Sequence, residues 1–470
     1  MDDTRGNECS GCAERDRRIA DLENRLADQD KRIAELQTRL EAAERASKRQ
    51  AAPFSKGPPK QNPKTVGRKA GARHGRHGHR QPPPPDQIDE MHEAPLPEHC
   101  ECGGLVNETH IDKTYQSEIP RRAIHRQFNI HCGQCDKCGK RHRGRHPLQT
   151  SDATGAAASQ LGPDAQAAIV YLNKEGGLSY GKIAGVFQHF YHLTVTRGAC
   201  AQVVLRGAKR LQPAYEEIRG QFKEAEHITP DETGWRIGGR PAWLHVGVGD
   251  NGATIYVIDP RRSADVLQTI IGIDWSGSMT HDGYSSYDRF DDAIHQQCID
   301  HALRRARALL DKQGPAAGAF STQVIGLFTD ALDVRDQLEA GVLDSAVGPD
   351  AYENYVAKLR ELTARHRPND DNRKFANHLD HHAAEWFVCL LDPSVPATNH
   401  RAEQKLKTPI ATRKVWGGNR TPNGGHAQEV HCSVLQTCKN LAVDVFAFVS
   451  QAFCGITGKL FASRPSTPNA

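Results

Sequence analysis

Residues 227–258 read HITPDETGWRI, GG, RPAWLHVGVG, DNG, ATIYVI, and the fold follows from how that stretch divides. Ile228–Ile237, Ala242–Val248 and Ala253–Ile258 are rich in β-branched and aromatic residues, the composition of strands. Gly238-Gly239 and Asp250-Asn251-Gly252 separate them, and glycine and asparagine accept the positive φ of a tight hairpin, so three antiparallel strands are predicted. Ser263 then offers an N-cap, Asp265 sits in the first helical turn, and Gly272 ends the helix after Ile271. A fourth strand, Gly277–Thr280, runs into His281-Asp282-Gly283-Tyr284.

Three antiparallel strands, a helix and another strand is the order of a ribonuclease-H-like α/β core. In such a core an aspartate in the first strand and one just past the fourth lie side by side, and Asp231 and Asp282 occupy those places. Either aspartate alone could be a turn or capping residue, since most isolated Asp-Gly pairs are turns.

Upstream, residues 151–222 read as a helical region: Pro163 opens one helix, and Leu178–Phe187 and Val195–Leu211 follow. Two short helices and a longer one suggest a helix-turn-helix-like DNA-binding region, although an ordinary bundle has the same pattern. Residues 88–150 hold Cys100 and Cys102-Gly103 on one side and Cys135-x-x-Cys138-Gly139 on the other. The alternation of Tyr115–Ile119 and Ala123–Ile130 predicts a hairpin between them. Two knuckles around a hairpin predict a zinc-ribbon domain with Cys102, Cys135, Cys138 and either Cys100 or His99 as ligands. Free cysteines are the plainer alternative, and Cys9-x-x-Cys12 has no facing pair.

Residues 46–87 form a Pro/Gly-rich basic linker, where Arg68, Lys69, Arg73, Arg76 and Arg80 suit phosphate contact and a plain spacer is the alternative. Residues 1–45 carry heptads, with Ile19, Leu26, Ile33 and Leu40 on one seam position and Leu22, Gln29, Leu36 and Ala43 on the other. Arg18, Arg25, Arg32 and Arg39 flank the seam opposite Glu23, Asp30 and Glu44, which predicts a parallel coiled-coil homo-oligomer. The 13 cysteines, an odd number with no apolar leader in front, argue for reduced thiols and an intracellular setting. No run approaches the ~18 apolar residues of a membrane span.

Downstream, residues 306–395 read as a helical insertion, 396–455 as the end of the core with C-terminal helices, and 456–470 as a tail. The first part of the core spans 223–305. His378, His381 and His382 look like an exposed helix face, with metal binding as the lesser alternative. Lys405, Lys407, Arg413 and Lys414 make a basic run suited to gripping DNA, with a solvated face as the alternative.

Asp231-Glu232-Thr233, Asp282-Gly283-Tyr284-Ser285-Ser286-Tyr287 and Cys298-Ile299-Asp300-His301-Ala302-Leu303-Arg304-Arg305 resemble the central domain of insertion-sequence-66 transposases. Asn399-His400-Arg401-Ala402-Glu403-Gln404-Lys405-Leu406-Lys407 resembles that family's last acidic motif, and the coiled coil, linker and knuckles come in the same order. Lys407 and Thr398 depart from the family's usual arginine and asparagine there. The resemblance implies a prokaryotic, cytoplasmic DDE transposase with Asp231, Asp282 and Glu403 as catalytic triad. It would act on double-stranded DNA at element ends and on target DNA, with accessory proteins a further expectation. Three carboxylates from separate elements suit magnesium or manganese. Two such ions about 4 Å apart serve in-line displacement at phosphorus. Glu429 and Glu385 are the alternative third acids. The competing readings are a catalytically inactive DNA-binding regulator and a nuclease acting on branched DNA.

Overall fold

Glycine turns punctuate the chain where the sequence places them, and Ser263 stands at its helix start without a side-chain cap bond, its hydroxyl donating to Asp265 instead. The computed structural model describes residues 14, 18–19, 21–33, 35–37, 82–117, 119–153, 160–365, 369–456 and 458–461. It divides into Met1–Ser117 and Glu118–Ala470. In the second unit three helices lead in: α1 (Pro163–Lys174), α2 (Tyr180–Tyr191) and α3 (Arg197–Lys223). The Ser179 and Thr196 hydroxyls accept the Lys182 and Ala199 N–H groups and so start α2 and α3. The third helix continues past Pro213, well beyond Leu211, because its buried stripe continues through Ala214, Ile218 and Phe222.

The sheet contains β1 (His227–Ile237), β2 (Arg240–Gly249) and β3 (Thr254–Asp259), then α4 (Ala264–Ile271), β4 (Ser278–His281) and β5 (Ile294–Gln297). Their order across the sheet is β3-β2-β1-β4-β5, antiparallel among the first three and parallel from β1 to β5. Gly238 and Gly239, at φ 58° and 79°, make the first hairpin turn. The fifth strand has no counterpart in the sequence reading: Ile-His-Gln-Gln shows no apolar alternation, and both glutamines are fully buried.

Among the described residues eight α-helices follow: α5 (Ile299–Ala317), α6 (Ala319–Glu339), α7 (Val347–Ala364), α8 (Asp370–His381), α9 (Val388–Leu391), α10 (His400–Trp416), α11 (Pro422–Asn440) and α12 (Val445–Phe453). The first five gather their own apolar cluster around Phe320, Phe328, Phe375, Trp386 and Phe387. A larger cluster joins α1–α4, α11 and α12 to one face of the sheet through residues such as Phe222, Ile228 and Ile255. On the other face, Trp235, Leu244, Val246 and Tyr256 pack against Ala402 and Leu406 of α10. Burial on the order of 2 kcal/mol per such side chain holds α10 across that face. The outer strand β3 is capped by α11, whose Glu429, Ser433 and Thr437 accept the Ile258, Tyr256 and Thr254 N–H groups at 2.7, 2.9 and 3.0 Å. Those bonds satisfy an edge that would otherwise pair with another chain.

The cysteine region departs from expectation. Among the described residues of 106–131 there is no strand, and Ile111, Tyr115, Ile119 and Ile124 are exposed. Their alternation has no buried face to select a strand. The pairing instead flanks the second knuckle, Cys132–Gln134 against Arg141–Arg143. In Met1–Ser117, residues 21–33 are helical, and Leu22, Leu26 and Ile33 are 50%, 58% and 52% exposed. The linker positions Arg68, Lys69, Arg73, Arg76 and Arg80, the last heptad and Cys9-x-x-Cys12 lie outside the described residues.

Candidate active site

Parallel pairing of β1 with β4 sets Ile228 against Met279, and carrying that register three residues on brings Asp231 level with Asp282. Asp231 Oδ1 accepts the Glu232 N–H at 2.8 Å, and Asp282 Oδ1 accepts the Tyr284 N–H at 3.0 Å. Among the described residues neither aspartate has a cation partner. Burial, and next the Asp282 charge, push the Asp231 carboxyl up to about 7. Glu232 and Glu403 push it the same way, against the pull of the Glu232 amide.

Glu403 arrives on the first turn of α10, on the Trp235 side of the sheet. The start of that helix is clasped to the start of α5. The Cys298 thiol donates to Asn399 Oδ1 at 3.2 Å, the Asn399 N–H points to Cys298 Sγ at 3.3 Å, and the Ile299 N–H donates to the Ala397 carbonyl at 3.0 Å. Arg304 Nη2 of α5 donates to Glu403 Oε1 at 2.6 Å, and His301 Nε2 lies 3.7 Å from the same oxygen. Burial, then Arg304, lower the His301 pKa, while the charges of Asp282 and Glu403 oppose that. The three acids therefore share one electrostatic environment, drawn from β1, the loop after β4 and α10.

The alternative acids are engaged elsewhere. Glu429 caps β3 and pairs with His426 at 2.9 Å. Glu385 accepts from Gln297 Nε2 at 2.7 Å and pairs with His382 at 2.9 Å. Burial raises the Glu385 carboxyl, yet these two partners outweigh it and hold the group at about 2. The histidine face also departs from expectation. His382 is buried and His378 stacks edge-on against Trp386, leaving only His381 exposed, because Trp386 anchors this segment to the insertion's core.

The basic run divides. Lys407 and Lys414 are exposed. Lys405 donates to Gln436 at 3.1 Å and Asn440 at 2.6 Å, and Arg413 donates to Thr233 and to the Gly234 carbonyl, so both fasten α10 to its neighbours. Two contacts had no place in the sequence reading. Arg304 stood in the quoted motif without a role, and Glu232, next to Asp231, went unweighed.

At the knuckles, the Gly104 amide and then the Cys100 thiol hold the Cys102 thiol below the ordinary cysteine range. The Cys138 and Lys137 amides, then the Cys138 thiol, do the same for Cys135. Gly103 and Gly139, at φ 88° and 69°, make those amide-presenting turns.

Among the described residues no group of three or more His, Cys, Asp or Glu side chains is arranged so that it could hold a metal ion. The chemistry of the donors nonetheless suits a hard cation: all three are carboxylates, burial and neighbouring acids raise Asp231, and among the described residues Glu403 alone of the three has a positive partner.

A mixed sheet flanked by helices, within a multidomain α/β chain, is consistent with a transposase-like fold. The family model described as "Transposase IS66 family" matches residues 158–427, more than half of the chain, and the chain belongs to that family. Comparison with curated proteins finds no match. Membership supports DDE-type transposase activity on DNA in general terms, with the metal-dependent catalysis that class implies. Among the described residues no helix is long and apolar enough to cross a membrane.

Proposed function

We propose that the chain cleaves and transfers DNA strands of an insertion sequence through a ribonuclease-H-like core in which Asp231, Asp282 and Glu403 bind two divalent ions. The observation that carries this reading is the register that brings Asp231 level with Asp282, where burial first and the Asp282 charge next raise the Asp231 carboxyl to about 7. Magnesium or manganese bound there would activate a water or a DNA 3′-hydroxyl and stabilise the leaving oxygen. The protein's own part is placement. Sheet register brings the two aspartates level, and the Cys298–Asn399 clasp fixes the turn that carries Glu403. Lys407 and Lys414, exposed on the same helix, are positioned for phosphates, and the basic stretch 46–87 adds contacts that do not read sequence.

The flanking elements fit the same role. Exposed Arg197, Arg206, Lys209 and Arg210 on α3 support a DNA-facing helix-turn-helix-like region. The amide-stabilised thiols of Cys102 and Cys135 support zinc binding at each knuckle taken by itself, with Cys100 beside Cys102 preferred to His99 and Cys138 beside Cys135. The exposed seam of residues 21–33 supports pairing with a second copy. Metal analysis and sedimentation test these two readings.

Magnesium-dependent cleavage of duplex DNA carrying the element's own ends tests the main one. Glu403→Gln should abolish cleavage while leaving DNA affinity within about threefold. Glu429→Gln should cleave nearly as the wild type does, because its amide oxygen still accepts from Ile258. The reverse pattern would give the third acid to Glu429. Binding without cleavage by the unaltered protein would make it a regulator instead.

A further inference from the structure

Glu403 does not face the two aspartates unattended. The guanidinium of Arg304 forks between two carboxylates: Nε lies 3.0 Å from Asp300 Oδ2, one turn earlier on α5, while Nη2 lies 2.6 Å from Glu403 Oε1. The same nitrogen lies 3.1 Å from His301 Nε2. A carboxylate oxygen engaged head-on by a guanidinium N–H has one lone-pair direction fewer for a cation. The positive charge also repels any ion approaching that oxygen. Both side chains are partly open to solvent, Arg304 at 49% and Glu403 at 30%, so the pair is weak enough for a divalent ion to displace. Asp300 gives Arg304 an anchor that survives the displacement. Only the guanidinium end need turn, and the freed Nη2 remains beside the acids, where a DNA phosphate would approach.

We infer that Arg304 is a gate on Glu403: its guanidinium holds the oxygen that a divalent ion requires and passes to a phosphate oxygen of bound DNA when the ion enters. No bond is made or broken in this exchange; one cation replaces another at Glu403, and the released donor finds an anion. The gate rests on the reading of Asp231, Asp282 and Glu403 as an ion site. It adds that the site is tuned to fill when DNA is present.

Calorimetric titration of the full chain with manganese alone tests the gate, using wild type, Arg304→Met, Arg304→Lys and Asp231→Asn. Arg304→Met should bind manganese about tenfold more tightly than wild type, while Arg304→Lys, which keeps the charge, should stay within about twofold. Adding a short duplex without element ends should tighten manganese binding severalfold for wild type and hardly at all for Arg304→Met. A merely structural salt bridge predicts the opposite: Arg304→Met would loosen Glu403 and weaken manganese binding. That result, or equal affinities with and without Arg304, overturns the gate and leaves the three-carboxylate site standing. Manganese binding unaffected by Asp231→Asn overturns the site itself, and the gate with it.

Discussion

On β1 the side chains of Asp231 and Glu232 leave opposite faces of the sheet, and the two faces treat a carboxylate differently. Glu232 is 2% exposed and fully partnered: Arg262 meets its Oε1 from Nε at 2.8 Å and from Nη2 at 2.7 Å, and the Tyr287 hydroxyl donates to Oε2 at 2.6 Å. Arg262 is itself stacked, 4.0 Å from the Tyr284 ring centre and 4.8 Å from that of Trp243. Asp231, one residue away, has a backbone amide and the charges of three acids, Asp282, Glu232 and Glu403. A fold that needs a buried acid for its architecture neutralises it with a cation and hydrogen bonds. Where repulsion between acids is kept instead, the architecture is giving up stability, and a ligand is the usual reason.

Exchanging the two acids for their amides is the strongest way to break that comparison. Asp231→Asn should fold normally and lose magnesium-dependent cleavage by about a thousandfold or more. Glu232→Gln should lose about 3 kcal/mol of stability, because Arg262 is left facing an uncharged partner. It should retain cleavage within severalfold at a temperature where it stays folded. Cleavage assays beside urea melts separate the outcomes. A Glu232→Gln protein that melts like wild type but cannot cleave would put the functional acid on the wrong face.

A smaller effect sharpens the same contrast through pH. The Asp231 carboxyl sits at about 7 in the folded chain, from an ordinary 3.8, so between those values the folded state keeps a proton that the unfolded state has released. Stability from this group is therefore present at low pH, falls as pH rises through that window, and levels off above about 7. Asparagine at 231 cannot ionise. In buffer without added divalent ions, Asp231→Asn should melt several degrees above wild type at pH 8, by roughly a third of that at pH 5, and close to it only below about pH 4. A constant offset across the range would mean that Asp231 already has a counter-charge.

Much of this arrangement was readable from the sequence because it depends on local signals. Glycine turns, the Ser263 start and the Gly272 end marked the first three strands and α4, and a parallel β4 then needed only its offset to bring Asp282 level with Asp231. β5 escaped because buried glutamines carry no apolar signature; Gln296 is held by polar bonds to the Trp386 carbonyl and the Cys389 amide. The inward histidines escaped for a related reason. His378 and His382 are oriented by Trp386 and Glu385, which pattern alone does not identify as partners. The division of the basic run was likewise invisible, since Lys405 and Arg413 differ from Lys407 and Lys414 only in which side of α10 they occupy. The hairpin expected within residues 105–131 failed because alternation specifies a strand only where one face is buried.

The smallest effect tests whether the Glu232 face depends on charge alone. Arg262 places its guanidinium against Tyr284 and Trp243 while its carbonyl accepts the Tyr284 hydroxyl at 2.6 Å, so stacking and backbone contact act together. Lysine at 262 keeps the positive charge but offers a point donor instead of a planar fork, and it stacks less well between the rings. Arg262→Lys should therefore cost about 1 kcal/mol, well short of Glu232→Gln, and leave cleavage unchanged. Arg262→Met strands the Glu232 charge in a nearly dry site and should cost about 3 kcal/mol. A double-mutant cycle of Arg262→Met with Glu232→Gln should then recover part of the loss, because removing both charges is milder than stranding one. Simple additivity in that cycle would show that the two side chains contribute independently, and the neutralised face would have to be explained by packing.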